Sequence, residues 1–133
     1  MPKKMKILFI TERRADYSHL KPIMKELKKS GKFKMLLVVT GAHLLKSFGE
    51  TQKNIKADGF KIDAVLPLFR KHDKDDGASM VQALGRALIG LPKIFQKLKP
   101  DLIFAGFDLG AHLAAAIAGM HMNIYVSHIH GGD

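Results

Sequence analysis

Five short runs of apolar, β-forming residues recur along this chain, each separated from the next by a segment with helical periodicity. They are Met5–Ile10, Phe33–Thr40, Phe60–Leu68, Leu102–Ala105 and Ile124–Ser127. Near-continuous apolar runs suit strands buried on both faces, as in a parallel sheet. A strand–helix alternation repeated in this way leaves few topologies: right-handed crossovers return each strand to one parallel sheet, with helices on both faces. The pattern therefore predicts an α/β fold of three layers. With 133 residues, no internal repeat and no linker-like tract, the chain reads as a single domain over residues 1–133.

The helical segments have their own punctuation. Leu20, Ile23, Met24 and Leu27 recur at helical spacing after a polar loop over Thr11–Ser18. Ser18 is the expected N-cap, Pro22 falls in the expected first turn, and Gly31 supplies the stop. A second helix is expected over Leu44–Ala57, a third over Ser79–Leu98 with Pro92 bending or breaking it, and a fourth, alanine-rich, over Leu109–His121. The third strand alternates and ends at Pro67, which suits a sheet edge. The charged, apolar-poor stretch Phe69–Gly77 reads as a mobile loop.

Composition removes several classes of function. There is no cysteine, which excludes disulfides and thiolate metal sites and suits a reducing cytoplasm, the expected location. The basic start Met1–Met5 lacks the long apolar core and cleavage site of a signal peptide. Leu113–Met122 is too short to span a bilayer, so no membrane association is expected. The formal charge of +10 invites a nucleic-acid reading. The lysines, however, stand singly or in pairs on helices, with no arginine-rich tract and no tryptophan to stack on bases. Solvated helix faces and attraction of an anionic small ligand account for the charge more simply.

In a doubly wound fold, ligands bind at the carboxyl ends of the strands. Four loops fall there: Thr11–Tyr17, Thr40–His43, Gly106–Ala111 and His128–Asp133. Arg13, Arg14, Asp16 and Tyr17 precede a helix, and an arginine fork beside helix amides is a good anion site. The same arginines could equally pair with Glu12 and Asp16 in solvent. Neither dinucleotide-binding nor Walker glycine spacing is present. His43 reads as a surface or capping histidine, or as a catalyst. Asp108 reads as an N-cap, worth about 1 kcal/mol, or as a general acid or base. His128 and His130 share a face of an extended segment, with Asp133 three residues on. Two histidines and a carboxylate can ligate zinc or iron, but Gly131-Gly132 gives such a site no rigid support.

Taken in order, a larger set emerges. Arg14-Ala-Asp-Tyr17 with Leu20-Lys-Pro22, then Thr40-Gly-Ala-His-Leu44, then Phe48-Gly49 with Thr51 follow one another along the chain. Asp58-Gly-Phe-Lys-Ile-Asp63, Leu98-Lys-Pro-Asp-Leu102 and His128-Ile-His-Gly-Gly132 complete the series. This set resembles the amino-terminal domain of the UDP-N-acetylglucosamine 2-epimerases, in particular the hydrolysing branch that makes N-acetylmannosamine for sialic acid and related sugars. The resemblance covers almost the whole chain.

It implies a Rossmann-like domain forming the amino-terminal half of a GT-B fold, with a complementary carboxyl-terminal domain completing the cleft. It implies UDP elimination through a glycal followed by hydration, with a UDP-sugar as substrate and without metal or redox cofactor. Carried over by position, Arg14 would meet the diphosphate, with Asp16 beside it. Asp108, His130 and Asp133 would be catalytic, and His43 and His128 would line the cleft. The chain departs from the family's habit in three places. Glu12-Arg13-Arg14 stands where Gly-Thr-Arg is common, the loop at Asp108 lacks the usual arginine and glutamate, and Asp133 stands for glutamate. The first two of these leave room for a variant substrate, such as another UDP-linked amino sugar, beside UDP-N-acetylglucosamine itself. The chain alone is expected to be inert or very weak, whether a truncation, a subunit of a split enzyme or part of a homo-oligomer. The rival expectations are a free-standing anion or sugar-nucleotide binding module and, more remotely, a nucleic-acid-binding protein.

Overall fold

The computed structural model describes residues 4–41, 52–69, 76–106 and 110–128. Its elements run β1 (Met5–Thr11), α1 (Arg14–Ser30), β2 (Phe33–Thr40), α2 (Gln52–Ala57), β3 (Ala64–Leu66), α3 (Gly77–Leu98), β4 (Leu102–Phe104), α4 (Gly110–His121) and β5 (Tyr125–Ser127). All neighbouring strands are parallel, in the order β3-β2-β1-β4-β5. The three-layer α/β expectation is met.

Alternation along the two longest strands divides the core. Leu8, Ile10, Leu36 and Val38 face α3 and α4, where Ala87, Leu91, Phe95, Ala111 and Ala115 meet them. Ile7, Phe9, Leu37 and Val39 face the other way, onto Tyr17, Leu20 and Met24 of α1 and Ile55 of α2. Both faces of β1 and β2 are thus apolar because both are covered. Small residues let α4 lie close to the sheet. A Cβ on Gly119 would stand 2.7 Å from Ile103 Cδ1 and 2.9 Å from Val126 Cγ2.

Several boundaries differ from the sequence expectation, each for a local reason. β3 is three residues long rather than spanning Phe60–Leu68. Before it, Asp63 donates its amide to the Leu37 carbonyl at 2.8 Å, and its carboxylate accepts the Leu37 amide at 2.9 Å. One side chain thus completes the pairing that another strand residue would have made. Its edge position is as expected. α3 starts at Gly77 because the Asp76 carboxylate accepts the Ser79 amide at 2.8 Å, a side-chain N-cap two residues earlier than expected. Pro92 does not break α3. Leu91 and Phe95 are buried on either side of it, and their burial outweighs one missing helix hydrogen bond. The expected start of the second helix at Leu44, and most of the expected loop after Phe69, lie outside the described residues.

The chain winds outward from β1 through β2 to β3, then crosses back through α3 to β4 and β5. The winding direction therefore reverses between β1 and β4. Loops leaving two such strands turn apart and open a crevice at their carboxyl ends. The described residues flanking that switch point are Glu12 and Arg13 after β1 and Ala105 and Gly106 after β4.

Candidate functional site at the sheet's switch point

The turn after β1 is shorter than the sequence suggests. Thr11 still belongs to the strand and Arg14 already to α1, so only Glu12 and Arg13 connect them. Arg13, not Ser18, is the N-cap, and Asp16 in the first turn braces it. The Asp16 carboxylate accepts the Arg13 amide at 2.9 Å and the Glu12 amide at 3.1 Å, and the Thr11 hydroxyl also donates to it. Amides at a helix start lack partners within the helix, and an acidic side chain in the first turn supplies one. Ser18 lies inside the helix instead, donating its hydroxyl to the Arg14 carbonyl at 2.9 Å. Pro22 likewise sits mid-helix rather than in the first turn.

Asp16 also reaches the neighbouring crossover. Its Oδ2 lies 3.1 Å from His112 Nε2 in the first turn of α4, and both side chains are buried. Burial acts to raise the Asp16 pKa, but hydrogen bonds from His112, Thr11 and the Arg13 amide outweigh it and hold the carboxyl below its ordinary value. Thr40, at the end of β2, donates its hydroxyl to the Thr11 carbonyl at 3.1 Å and joins the second strand to this cluster.

Glu12 points inward as well. Its Oε2 accepts the Ala111 amide at 3.4 Å, and its side chain packs between Gly41 and Gly110. Burial pushes its carboxyl above the ordinary range, and the Ala111 amide and the Arg13 charge offset only part of that. Arg13 and Arg14 remain exposed at the head of α1. The crevice edge therefore has buried carboxylates beneath and arginines on the surface. Such an edge can attract an anion while holding its own loops in place.

Of the expected site residues, Arg14 is exposed at the start of α1, Asp16 faces inward onto protein donors, and His128 is exposed directly after β5. His43, Asp108, His130 and Asp133 lie outside the described residues. The described residues adjoining them along the chain, Gly41, Gly106 with Gly110, and His128, stand at the carboxyl ends of β2, β4 and β5. Among the described residues, no three histidine, aspartate or glutamate side chains cluster to hold a metal ion. Among them too, no helix is long and apolar enough to cross a membrane.

Sequence reasoning missed Glu12 and His112 as parts of this cluster. Glu12 looked like a solvent partner of its arginine neighbours, and nothing local marks it as buried. His112 did carry a signal, because a lone imidazole beside the alanines of an apolar helix needs a polar partner.

The sequence profile of the family described as UDP-N-acetylglucosamine 2-epimerase matches residues 25–133. The chain belongs to the UDP-N-acetylglucosamine 2-epimerase family. A Legionella pneumophila relative named UDP-N,N'-diacetylbacillosamine 2-epimerase (hydrolyzing) is 38% identical over 128 residues, covering 96% of this chain and 33% of the relative. A Neisseria meningitidis UDP-N-acetylglucosamine 2-epimerase is 27% identical over 128 residues, again covering 96% of this chain and 33% of the relative. The crystal structure of the Neisseria enzyme bound to UDP-GlcNAc superposes with a TM-score of 0.79 at 20% identity, over 97% of this chain and 33% of that one. This epimerase-family chain thus spans about a third of the length of the relatives it matches.

Proposed function

We propose that this chain is the amino-terminal domain of a hydrolysing 2-epimerase acting on a UDP-linked N-acetylamino sugar. The observation that carries the reading is the family match, which runs from within α1 to the last residue. The arginine-edged crevice at the switch point supports it, because the substrate is an anion whose diphosphate needs positive partners. The greater identity to the Legionella relative, 38% against 27% for the Neisseria enzyme, favours a di-N-acetylated sugar over N-acetylglucosamine.

In this reading a base removes the C2 proton, UDP leaves from C1 to give a glycal, and water adds back across the double bond with C2 inverted. Arg14 meets the diphosphate, and Asp16 supports the turn that presents it. Asp108, His130 and Asp133 divide the proton transfers among them, Asp133 with a shorter reach than a glutamate. His43 and His128 line the sugar side. No step calls for a metal or redox cofactor. The uridine and most of the diphosphate are held by a complementary carboxyl-terminal domain, so the chain alone binds weakly and does not turn over. Its setting is the cytoplasm, where sugar nucleotides are made.

A chimera in which this chain replaces the first third of the Legionella relative tests the reading. UDP release from UDP-N,N'-diacetylbacillosamine is the expected result. A folded chimera that binds UDP and releases none from either that sugar or UDP-N-acetylglucosamine would overturn it.

A further inference from the structure

Glu12 is the first residue beyond β1 at the switch point, a place from which a side chain can face the crevice. It is instead only 5% exposed. The carboxylate crosses to the head of α4, where Oε2 accepts the Ala111 amide. Two glycines from separate turns make the room. Gly41, at the end of β2, and Gly110, the first residue of α4, have φ values of +60° and +59°. Side chains rarely tolerate that conformation, and a Cβ on either residue would overlap the Glu12 side chain. A solvated glutamate requires no such socket. The charged groups around it are Arg13 and His112, which favour the carboxylate, and Asp16, which opposes it.

The first amides of a helix carry the positive end of its dipole and are the donors that a ligand phosphate meets in many α/β sites. At α4 an internal carboxyl already takes up one of them. We propose that Glu12 is a positioning residue of the crevice: it clamps the head of α4 to the ends of β1 and β2 and keeps ligand anions off the α4 amides, leaving this chain's share of the diphosphate contacts to the Arg13–Arg14 turn. The diphosphate clause rests on the sugar-nucleotide reading above, whereas the socket does not.

Amide NMR of the full chain tests both parts, with wild type, Glu12→Gln and Glu12→Gly compared. In the wild type the Ala111 amide shift follows a titration whose midpoint lies above the ordinary glutamate value of 4.5. In Glu12→Gln, which keeps the shape, that titration is lost. Inorganic phosphate leaves Ala111 unmoved in both, and shifts Ala111 and Gly110 in Glu12→Gly, where the socket is empty. An Ala111 titration that survives in Glu12→Gln, or a phosphate shift at Ala111 in the wild type, overturns the proposal. Because Glu12→Gln preserves the packing, it decides the titration test even if Glu12→Gly does not fold. With UDP as probe, shifts at Arg13 and Arg14 without shifts at Ala111 support the diphosphate clause. UDP shifts absent from that turn overturn the clause alone and leave the socket standing.

Discussion

His112 Nε2 on α4 lies 3.1 Å from Asp16 Oδ2 on α1, although the two helices pack on opposite faces of the sheet. The contact passes around the carboxyl end of β1, where Thr11 and the Glu12 and Arg13 amides also donate to the same carboxylate. One side chain thus ties both outer layers to the central strand at the edge where the family's ligands are expected.

Replacing Asp16 should therefore cost more than the loss of one hydrogen bond. Asp16→Ala leaves His112, Thr11 and two amides facing a small cavity, and should destabilise the chain by about 2–4 kcal/mol. Asp16→Asn keeps an acceptor for part of that set and should cost about half as much. Urea unfolding of the three proteins checks both the size and the order.

The two buried carboxyls should give stability opposite pH slopes. Asp16 is held below its ordinary value of 3.8, so the unfolded chain binds more protons there, and stability falls as pH drops from 3.8 through the folded value. Glu12 is raised above 4.5, so the folded chain holds the proton longer, and stability falls as pH rises from 4.5 through the folded value. Thermal unfolding across acidic pH should show Glu12→Gln losing the second decline while retaining the first. A decline above pH 4.5 unchanged in that variant would assign it to other groups.

Gly119 marks where α4 lies closest to the sheet. Gly119→Leu must displace Ile103 and Val126, and should cost about 1–3 kcal/mol by overpacking. Gly119→Ala should cost less, since the nearest atoms are the ends of side chains that can shift. Chemical denaturation of the pair separates the two.

Arg14 is exposed at the start of α1 and should contribute to anion binding rather than to folding. Arg14→Ala should leave unfolding within about 0.5 kcal/mol of wild type. It should weaken UDP binding by roughly tenfold, as loss of one charge-assisted contact would, with the difference shrinking as salt is added. Calorimetric titration at two ionic strengths reads this directly.

The five strands and their order of appearance were legible because each is a short apolar run bounded by turn residues, and burial on both faces leaves that trace most clearly in β1 and β2. The start of α1 was not legible. A serine before a periodic segment looks like an N-cap, yet the cap is Arg13, braced by an Asp16 carboxylate that is itself held by His112, 96 positions further along the chain. β3 was over-extended because Phe60–Asp63 alternates as a strand would, while the Asp63 side chain ends the ladder from the side. Pro92 looked like a break because local propensity ignores the burial of Leu91 and Phe95. Arg14 and His128 are exposed just past the carboxyl ends of β1 and β5, where their place in the sequence puts them. The burial of Glu12 was not legible, because it depends on two glycines brought from distant turns.

In the proposed function this chain contributes the sugar-facing half of a sugar-nucleotide site without completing it. Saturation-transfer proton NMR of the purified chain with UDP-N-acetylglucosamine and UDP-N,N'-diacetylbacillosamine tests that most directly. Transfer to the sugar N-acetyl signals is expected, stronger for the diacetylated sugar, with anomeric signals steady over hours. No transfer to either sugar, or release of UDP by the chain alone, would contradict that reading.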